Sequence, residues 1–263
     1  MATINNNLIT YQKGSEKNQS IIFIHGFPFD HKMWDLQIDQ LKEHYNCFTY
    51  DIRGLGRSPV SDGQFTIESF VDDLFELIAE YKLRIPVLCG LSMGGYIALR
   101  AIERDEKMFK ALILCDTKSE ADNNAGKINR ANGIKEINSI GAEKFAETFV
   151  QKCFAEKFII NNKKEYEEVA SRAKRSLPTG LKGCLLAMAA RTDTTDYLSQ
   201  IKIPVLVLCG EEDKLTTPSV MKAMADKING SEFHIVPAAG HVTPVENPEF
   251  FNAKVKEFLT KLL

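Results

Sequence analysis

Residues Val87 to Tyr96 read V-L-C-G-L-S-M-G-G-Y: a short apolar run, a G-x-S-x-G and the start of an apolar-periodic helix. A serine hydroxyl is a weak nucleophile until a base takes its proton and its attack geometry is fixed. A sharp strand-to-helix turn at Ser92 would do the second, lifting Oγ into the open in an unfavourable backbone region. Gly90 and Gly94 then keep side chains out of the crowded space around it. The Met93 amide, at the start of the following helix, points to where an oxyanion would form. Glycines could serve close strand–helix packing alone; the strand before and the helix after favour the catalytic reading.

The base must be one of five histidines: His25, His31, His44, His234 or His241. His44 falls on the expected outer face of a helix and His234 alternates within a strand, so both read as bland. His25 ends the first core strand, and His31 in the loop beyond it reads as structural or substrate-lining. His241 lies in the small-residue loop A-A-G-H-V-T, directly after the last strand. Ligands of open α/β sheets gather at the carboxyl ends of the strands, where this loop sits. The base needs an acid to hold its tautomer. Asp213, in G-E-E-D-K after the strand Val205–Cys209, is the choice; Asp116, after Ala111–Cys115, is the rival. Ser92, Asp213 and His241 stand in the chain order Ser, acid, His.

The elements that must position these residues alternate. Strand-like runs occur at Leu8–Tyr11, Ile21–His25, Cys47–Tyr50, Val87–Cys89, Ala111–Cys115, Val205–Cys209 and Glu232–Val236. Continuous apolar runs such as V-L-V-L-C-G suit strands covered on both faces, as in a parallel sheet. Helical patterns fall between them at Leu36–Tyr45, Ile67–Tyr81, Gly94–Arg104, Ser219–Ile228 and Pro248–Leu262. The fold class is α/β, a mostly parallel, doubly wound sheet. Residues 119–200 interrupt the alternation with consecutive helices, expected at Lys127–Ile140, Glu143–Cys153, Lys163–Ser176 and Gly180–Ala190. The chain therefore reads as core (1–118), helical insertion (119–200) and core again (201–263).

With 44% hydrophobic and 26% charged residues, the 263-residue chain is neither disordered nor membrane-like in composition. A formal charge of −2 carries no basic excess for nucleic acid and no acidic tail. The most apolar stretch, Ile85–Leu99, is broken by Gly90, Ser92, Gly94 and Gly95 and is too short to span a bilayer. The N-terminus lacks both a basic start and an apolar run, so no signal peptide is expected. The six cysteines form no CxxC pair and no zinc-like set with histidine. They read as buried, reduced thiols, consistent with the cytoplasm, and no metal site is expected.

Four motifs together resemble the α/β-hydrolase superfamily, Ser-Asp-His branch, over essentially the whole length. They are HGFP at 25–28, D-x-R-G-x-G-x-S at Asp51–Ser58, GLSMGG at 90–95, and GEEDKLTTP with GHVTPVENP near the end. The resemblance implies an inserted helical cap and makes the Phe27 amide a second oxyanion donor beside Met93. It makes His25 architectural. Phe145, Phe149, Phe154, Leu185 and Met188 could line an acyl or alcohol pocket, or simply pack the cap. Serine at the turn argues against the branches that attack with a carboxylate. The closest likeness is to small carboxylesterases and 3-oxoadipate enol-lactonase-like proteins. It implies hydrolysis of small esters or lactones through an acyl-enzyme on Ser92, with no metal or organic cofactor. Arg130, Arg172, Arg175 and Arg191 are candidates to meet a substrate carboxylate. A carbon–carbon hydrolase or lyase on the same scaffold, or a non-catalytic small-ligand binder, remain the alternatives. Nothing points to nucleic-acid or membrane partners, and monomer and homodimer are not distinguished.

Overall fold

The computed structural model describes residues 2–4 and 8–262. The strands are β1 (Ala2–Ile4), β2 (Leu8–Lys13), β3 (Ser20–Ile24), β4 (Asn46–Asp51), β5 (Val87–Leu91), β6 (Ala111–Cys115), β7 (Val205–Gly210) and β8 (Glu232–Val236). They form one sheet in the order β1-β2-β4-β3-β5-β6-β7-β8. From β4 to β8 every pairing is parallel, and β2 and β1 close one side antiparallel. The seven expected runs all lie on strands, each within two residues of its observed ends. His25 falls just past β3 rather than in it.

The helices are α1 (Asp35–Leu41), α2 (Ile67–Glu80), α3 (Met93–Asp105), α4 (Asn124–Ile140), α5 (Ala142–Cys153) and α6 (Glu156–Asn161). They continue with α7 (Lys163–Ala173), α8 (Pro178–Ala189), α9 (Pro218–Ala225), α10 (Thr243–Glu246) and α11 (Pro248–Thr260). Alternate side chains of the central strands feed two separate cores, as the pleat requires. Ile22, Ile24, Leu88, Leu112, Leu114 and Val207 pack with α2, α3 and α9. Ile21, Phe23, Val87, Cys89, Ile113 and Leu208 pack on the other face with α1 and α11. That two-sided cover is why these strands read as unbroken apolar runs.

Three helices end three or more residues sooner than their periodicity predicts: α1, α7 and α9, the last closing on Lys227 and Ile228 N–H bonds to Met224 and Ala225. After α1 the chain must turn into β4, and Tyr45 N–H closes back on Leu41 O (2.9 Å). After α7, Arg175 and Ser176 donate to Arg172 and Ala173, tightening the last turn to i−3 bonds. Between β6 and β7 run α4 to α8, where the consecutive helical patterns were read; α6 was not foreseen. No helix among the described residues is long and apolar enough to cross a membrane.

Candidate active site

Ser92 joins β5 to α3 with φ +53° and ψ −115°, a region that costs a non-glycine residue roughly 1–3 kcal/mol. The surroundings over-determine it. Ser92 N–H donates to Cys115 O (2.9 Å), and Thr117 Oγ1 donates to Ser92 O (2.8 Å). The glycines expected around the turn have the predicted reason to be glycine. A Cβ on Gly90 would overlap the Gly94 carbonyl, and one on Gly94 would overlap the Ile24 carbonyl.

His241 is buried beside this turn, with Nε2 2.8 Å from Ser92 Oγ and Nδ1 2.8 Å from Asp213 Oδ2. Asp213 is fixed in its own turn. Its Oδ1 accepts from Leu215 N–H (2.7 Å) and Thr216 N–H (3.0 Å), and its Oδ2 from Thr216 Oγ1 (2.6 Å). Burial alone would raise the Asp213 carboxyl, but the bonds and charge of His241 hold it below the ordinary carboxylate range. Burial likewise opposes the imidazolium, and the Asp213 carboxylate outweighs it, so His241 sits above its ordinary value. With Asp213 ionised, Nδ1 carries the proton and Nε2 is free to accept from Ser92.

Asp116, the rival acid, takes a different place. Its Oδ1 accepts from Gly210 N–H (2.8 Å) and its Oδ2 from Thr243 Oγ1 (2.6 Å), with no bond to His241. Burial and the neighbouring Asp213 charge push it up to about 7. Ligand atoms of Asp116, Cys209 and Asp213 lie within 4.8 Å of one another. That set does not suit a cation: both carboxylates are already committed, and burial holds Cys209 as a thiol donating to backbone carbonyls.

Of the two residues whose amides are expected to bind an oxyanion, Met93 follows Ser92 directly and Phe27 stands in the loop after β3. Met93 opens α3, so its N–H is among those a helix leaves without an intrahelical acceptor. The loop carrying Phe27 runs against the turn: a Cβ on Gly26 would lie 3.1 Å from Ser92 Cβ. His25 braces that loop. Its Nε2 accepts from Ile52 N–H (2.9 Å), so Nδ1 carries the proton and donates to Gly26 O (2.9 Å). Complete burial lowers His25, keeping it neutral. His31 pairs with Asp51 at 2.8 Å, His44 is exposed, and His234 is half-buried on β8.

Phe27 packs against Phe149 (centroids 5.1 Å, edge-on) and Phe145 (6.3 Å), and those two rings stack on each other. Leu185 and Met188 join the same buried cluster. Phe154 instead packs against Phe158 and Tyr166 in the opposite core. Among the four arginines, Arg130 and Arg191 share Asp122 at 2.9 and 2.8 Å, while Arg172 reaches Asp30 at 3.1 Å.

Sequence reasoning missed two residues that brace the hydrogen-bonded Ser92, His241 and Asp213. Thr216 lies three positions after Asp213, a spacing that favours a side-chain turn and could have drawn attention. Glu246 accepts from Val242 N–H (3.0 Å) and from Ala155 N–H (2.8 Å). Together with the His241 N–H to Cys153 O bond (2.7 Å), it ties the histidine loop to the chain between α5 and α6. No local pattern announces that role.

The model of the alpha/beta hydrolase fold family matches residues 19–248, and the chain belongs to that family. Among solved structures, a thermophilic esterase from Thermogutta terrifontis is 33% identical with a TM-score of 0.92, covering 97% of this chain and 93% of that one. The enol-lactonase of Burkholderia xenovorans LB400 shares the fold at TM-score 0.91 and 24% identity, over 98% of this chain and 99% of its own. A 3-oxoadipate enol-lactonase of Acinetobacter baylyi is 27% identical over 90% of this chain and 87% of its own.

Proposed function

We propose that the protein is a serine hydrolase of small carboxylic esters or lactones. The observation that carries the reading is the hydrogen-bonded chain Ser92–His241–Asp213 on a strained turn, each link 2.8 Å. The likeness to an esterase and to enol-lactonases supports the ester class. His241 Nε2 takes the Ser92 proton as Oγ attacks the carbonyl carbon. The Phe27 and Met93 amides bind the resulting oxyanion. His241 then protonates the leaving alkoxide, and the acyl group stays on Ser92. In the second half, His241 takes a proton from water, hydroxide attacks the acyl carbon, and Ser92 Oγ leaves and is reprotonated. Asp213 holds the tautomer throughout.

On this reading residues 1–118 and 201–263 are the hydrolase core, and 119–200 are a cap whose Phe145, Phe149 and Met188 shape the pocket beside Phe27. Six buried free thiols fit a reducing compartment such as the cytoplasm.

The test is hydrolysis of p-nitrophenyl esters from acetate to octanoate by wild type and Ser92→Ala, with intact-mass detection of a stalled acyl adduct. The expected result is a Ser92-dependent rate and an adduct whose mass tracks the acyl chain. Turnover that survives Ser92→Ala, or that proceeds with no adduct on a rapidly quenched sample, refutes the acyl-enzyme and favours the lyase alternative.

A further inference from the structure

Arg172, in the last turn of α7, and Arg175, two residues past it, open onto a cavity of about 300 Å³ whose other wall is Pro28 to Lys32 and Gly56–Arg57. That volume is at the small end of the roughly 300–1,000 Å³ range of small-molecule sites. The charge of its lining is one-sided. Lys32, Arg57, Arg172 and Arg175 line the cavity with one carboxylate, Asp30, in a protein whose formal charge is −2; Arg57 is already partnered, which leaves Lys32, Arg172 and Arg175 against Asp30. Asp30 is already engaged. Its Oδ1 accepts from Lys32 N–H (3.1 Å) and from Arg172 Nε (3.1 Å). Asp51, behind His31, turns its oxygens inward to His31 N–H and Nδ1 and to Arg57 N–H. The head groups of Lys32 and Arg175 have no ion-pair partner among the described residues.

Like charges gathered around a concave surface repel one another and focus a positive potential into it, which an anion relieves. Arginine forks are well shaped for planar or tetrahedral oxyanions. None of Ser92, His241, Phe27, Phe145 or Met188 lines this cavity, so it is a different site from the one built around Ser92. We infer that this seam between α7 and the Pro28–Lys32 loop binds a small oxyanion of charge two or more, a phosphate group or a dicarboxylate. The anion bridges cations of the helical segment to cations of the core and so fastens α7 against the loop that follows Phe27.

The test is calorimetric titration of the intact protein with inorganic phosphate and, separately, succinate, at constant ionic strength set with sodium chloride, acetate serving as the singly charged control. One equivalent of phosphate or succinate is expected to bind, at least tenfold tighter than acetate; which of the two binds tighter identifies the oxyanion geometry. Arg175→Gln and Lys32→Gln, which remove no observed ion pair, should each weaken binding roughly tenfold, the scale of one charged hydrogen bond. At several times its dissociation constant the ligand should raise Tm by about 2–4 °C in wild type and less in either variant. It should not compete with hydrolysis of the uncharged p-nitrophenyl acetate. No saturable binding of either anion, or binding unchanged in both variants, overturns the inference. So does binding that competes with the uncharged ester and persists in both variants, since that places the anion at Ser92. The titration reads binding directly and is independent of whether Ser92 is a nucleophile.

Discussion

Asp213→Asn is the sharpest test of how the site works, because the surrounding donors dictate which way the new amide points. Leu215 and Thr216 backbone N–H groups, at 2.7 and 3.0 Å, both require an acceptor at the Oδ1 position. The asparagine oxygen therefore stays there and its NH₂ takes the place of Oδ2, facing His241 Nδ1 where the carboxylate now stands at 2.8 Å, while the Thr216 hydroxyl, which now donates to Oδ2, rotates to accept. Nδ1 must then accept, the ring proton moves to Nε2, and Nε2 can no longer take the Ser92 proton. A wrong tautomer of this kind costs about 10⁴-fold in turnover. The pH profile adds a second readout. His241 is raised above 6.5 by the Asp213 charge against the pull of burial, so the acid limb of kcat/KM in wild type should lie above 6.5. In Asp213→Asn the residual activity should show that limb moved to lower pH. The assay is initial-rate hydrolysis of p-nitrophenyl acetate from pH 5 to 9. Asp116→Asn is the control, since Asp116 makes no bond to His241, and should lose less than about tenfold. Asp213→Asn retaining a tenth of wild-type activity, or Asp116→Asn losing as much as Asp213→Asn, would refute the assignment of the acid.

Two further outcomes follow from the same bonds. Glu246→Ala removes the acceptor of two backbone N–H groups, Ala155 and Val242, and should cost about 2–6 kcal/mol at roughly 1–3 per orphaned donor; denaturant unfolding measures it, and a loss under 1 kcal/mol means water replaces the carboxylate without penalty. Asp116, pushed from 3.8 to about 7 by burial and by Asp213, binds a proton in the folded protein that the unfolded chain has released. Its stabilising contribution is present in full below about 4 and is lost as pH rises through about 7. Tm should therefore fall between pH 5 and 8 more steeply in wild type than in Asp116→Asn, and equal slopes would show that Asp116 is ionised throughout.

The parts of this molecule legible in its sequence are those fixed by short-range necessity. Fully covered strands such as Val205–Gly210 read as unbroken apolar runs because both of their faces lie in a core. Gly90 and Gly94 announce the turn because a single Cβ at either would meet backbone. Asp213 is preferred to Asp116 from the sequence because its turn leads into Pro218 and a helix, although both follow parallel strands at the same end of the sheet. The 2.8 Å bond to His241 Nδ1 separates Asp213 from its rival outright. β1 escaped notice because three residues, Ala2–Ile4, carry too little pattern to mark a strand, and its pairing with β2 supplies the rest. Glu246 was invisible because Ala155, one of the backbone groups it binds, lies 91 residues away.

That long-range pairing bears on how the helical segment and the core depend on each other. The histidine loop is held from two sides: Glu212 N–H donates to Ala239 O (2.8 Å) and Thr243 Oγ1 to Asp116 Oδ2 (2.6 Å) beside the sheet, and the chain between α5 and α6 holds the other side. His241 N–H donates to Cys153 O, Glu246 accepts from Ala155 N–H, and a Cβ on Gly240 would lie 2.7 Å from the Ala155 nitrogen. Phe145 and Phe149 of α5, which pack on Phe27, stand on the helix whose end makes those bonds. A shift of α5 would thus move the lining beside Phe27 and the position of the imidazole together. Substitutions at the α5–α6 junction should then change kcat as well as KM, because they move the imidazole and not only the rings packed on Phe27. Placement of His241 and of the rings packed on Phe27 is one mechanical unit, although the two segments that bond to each other, at Ala155 and Glu246, stand 91 residues apart in the chain.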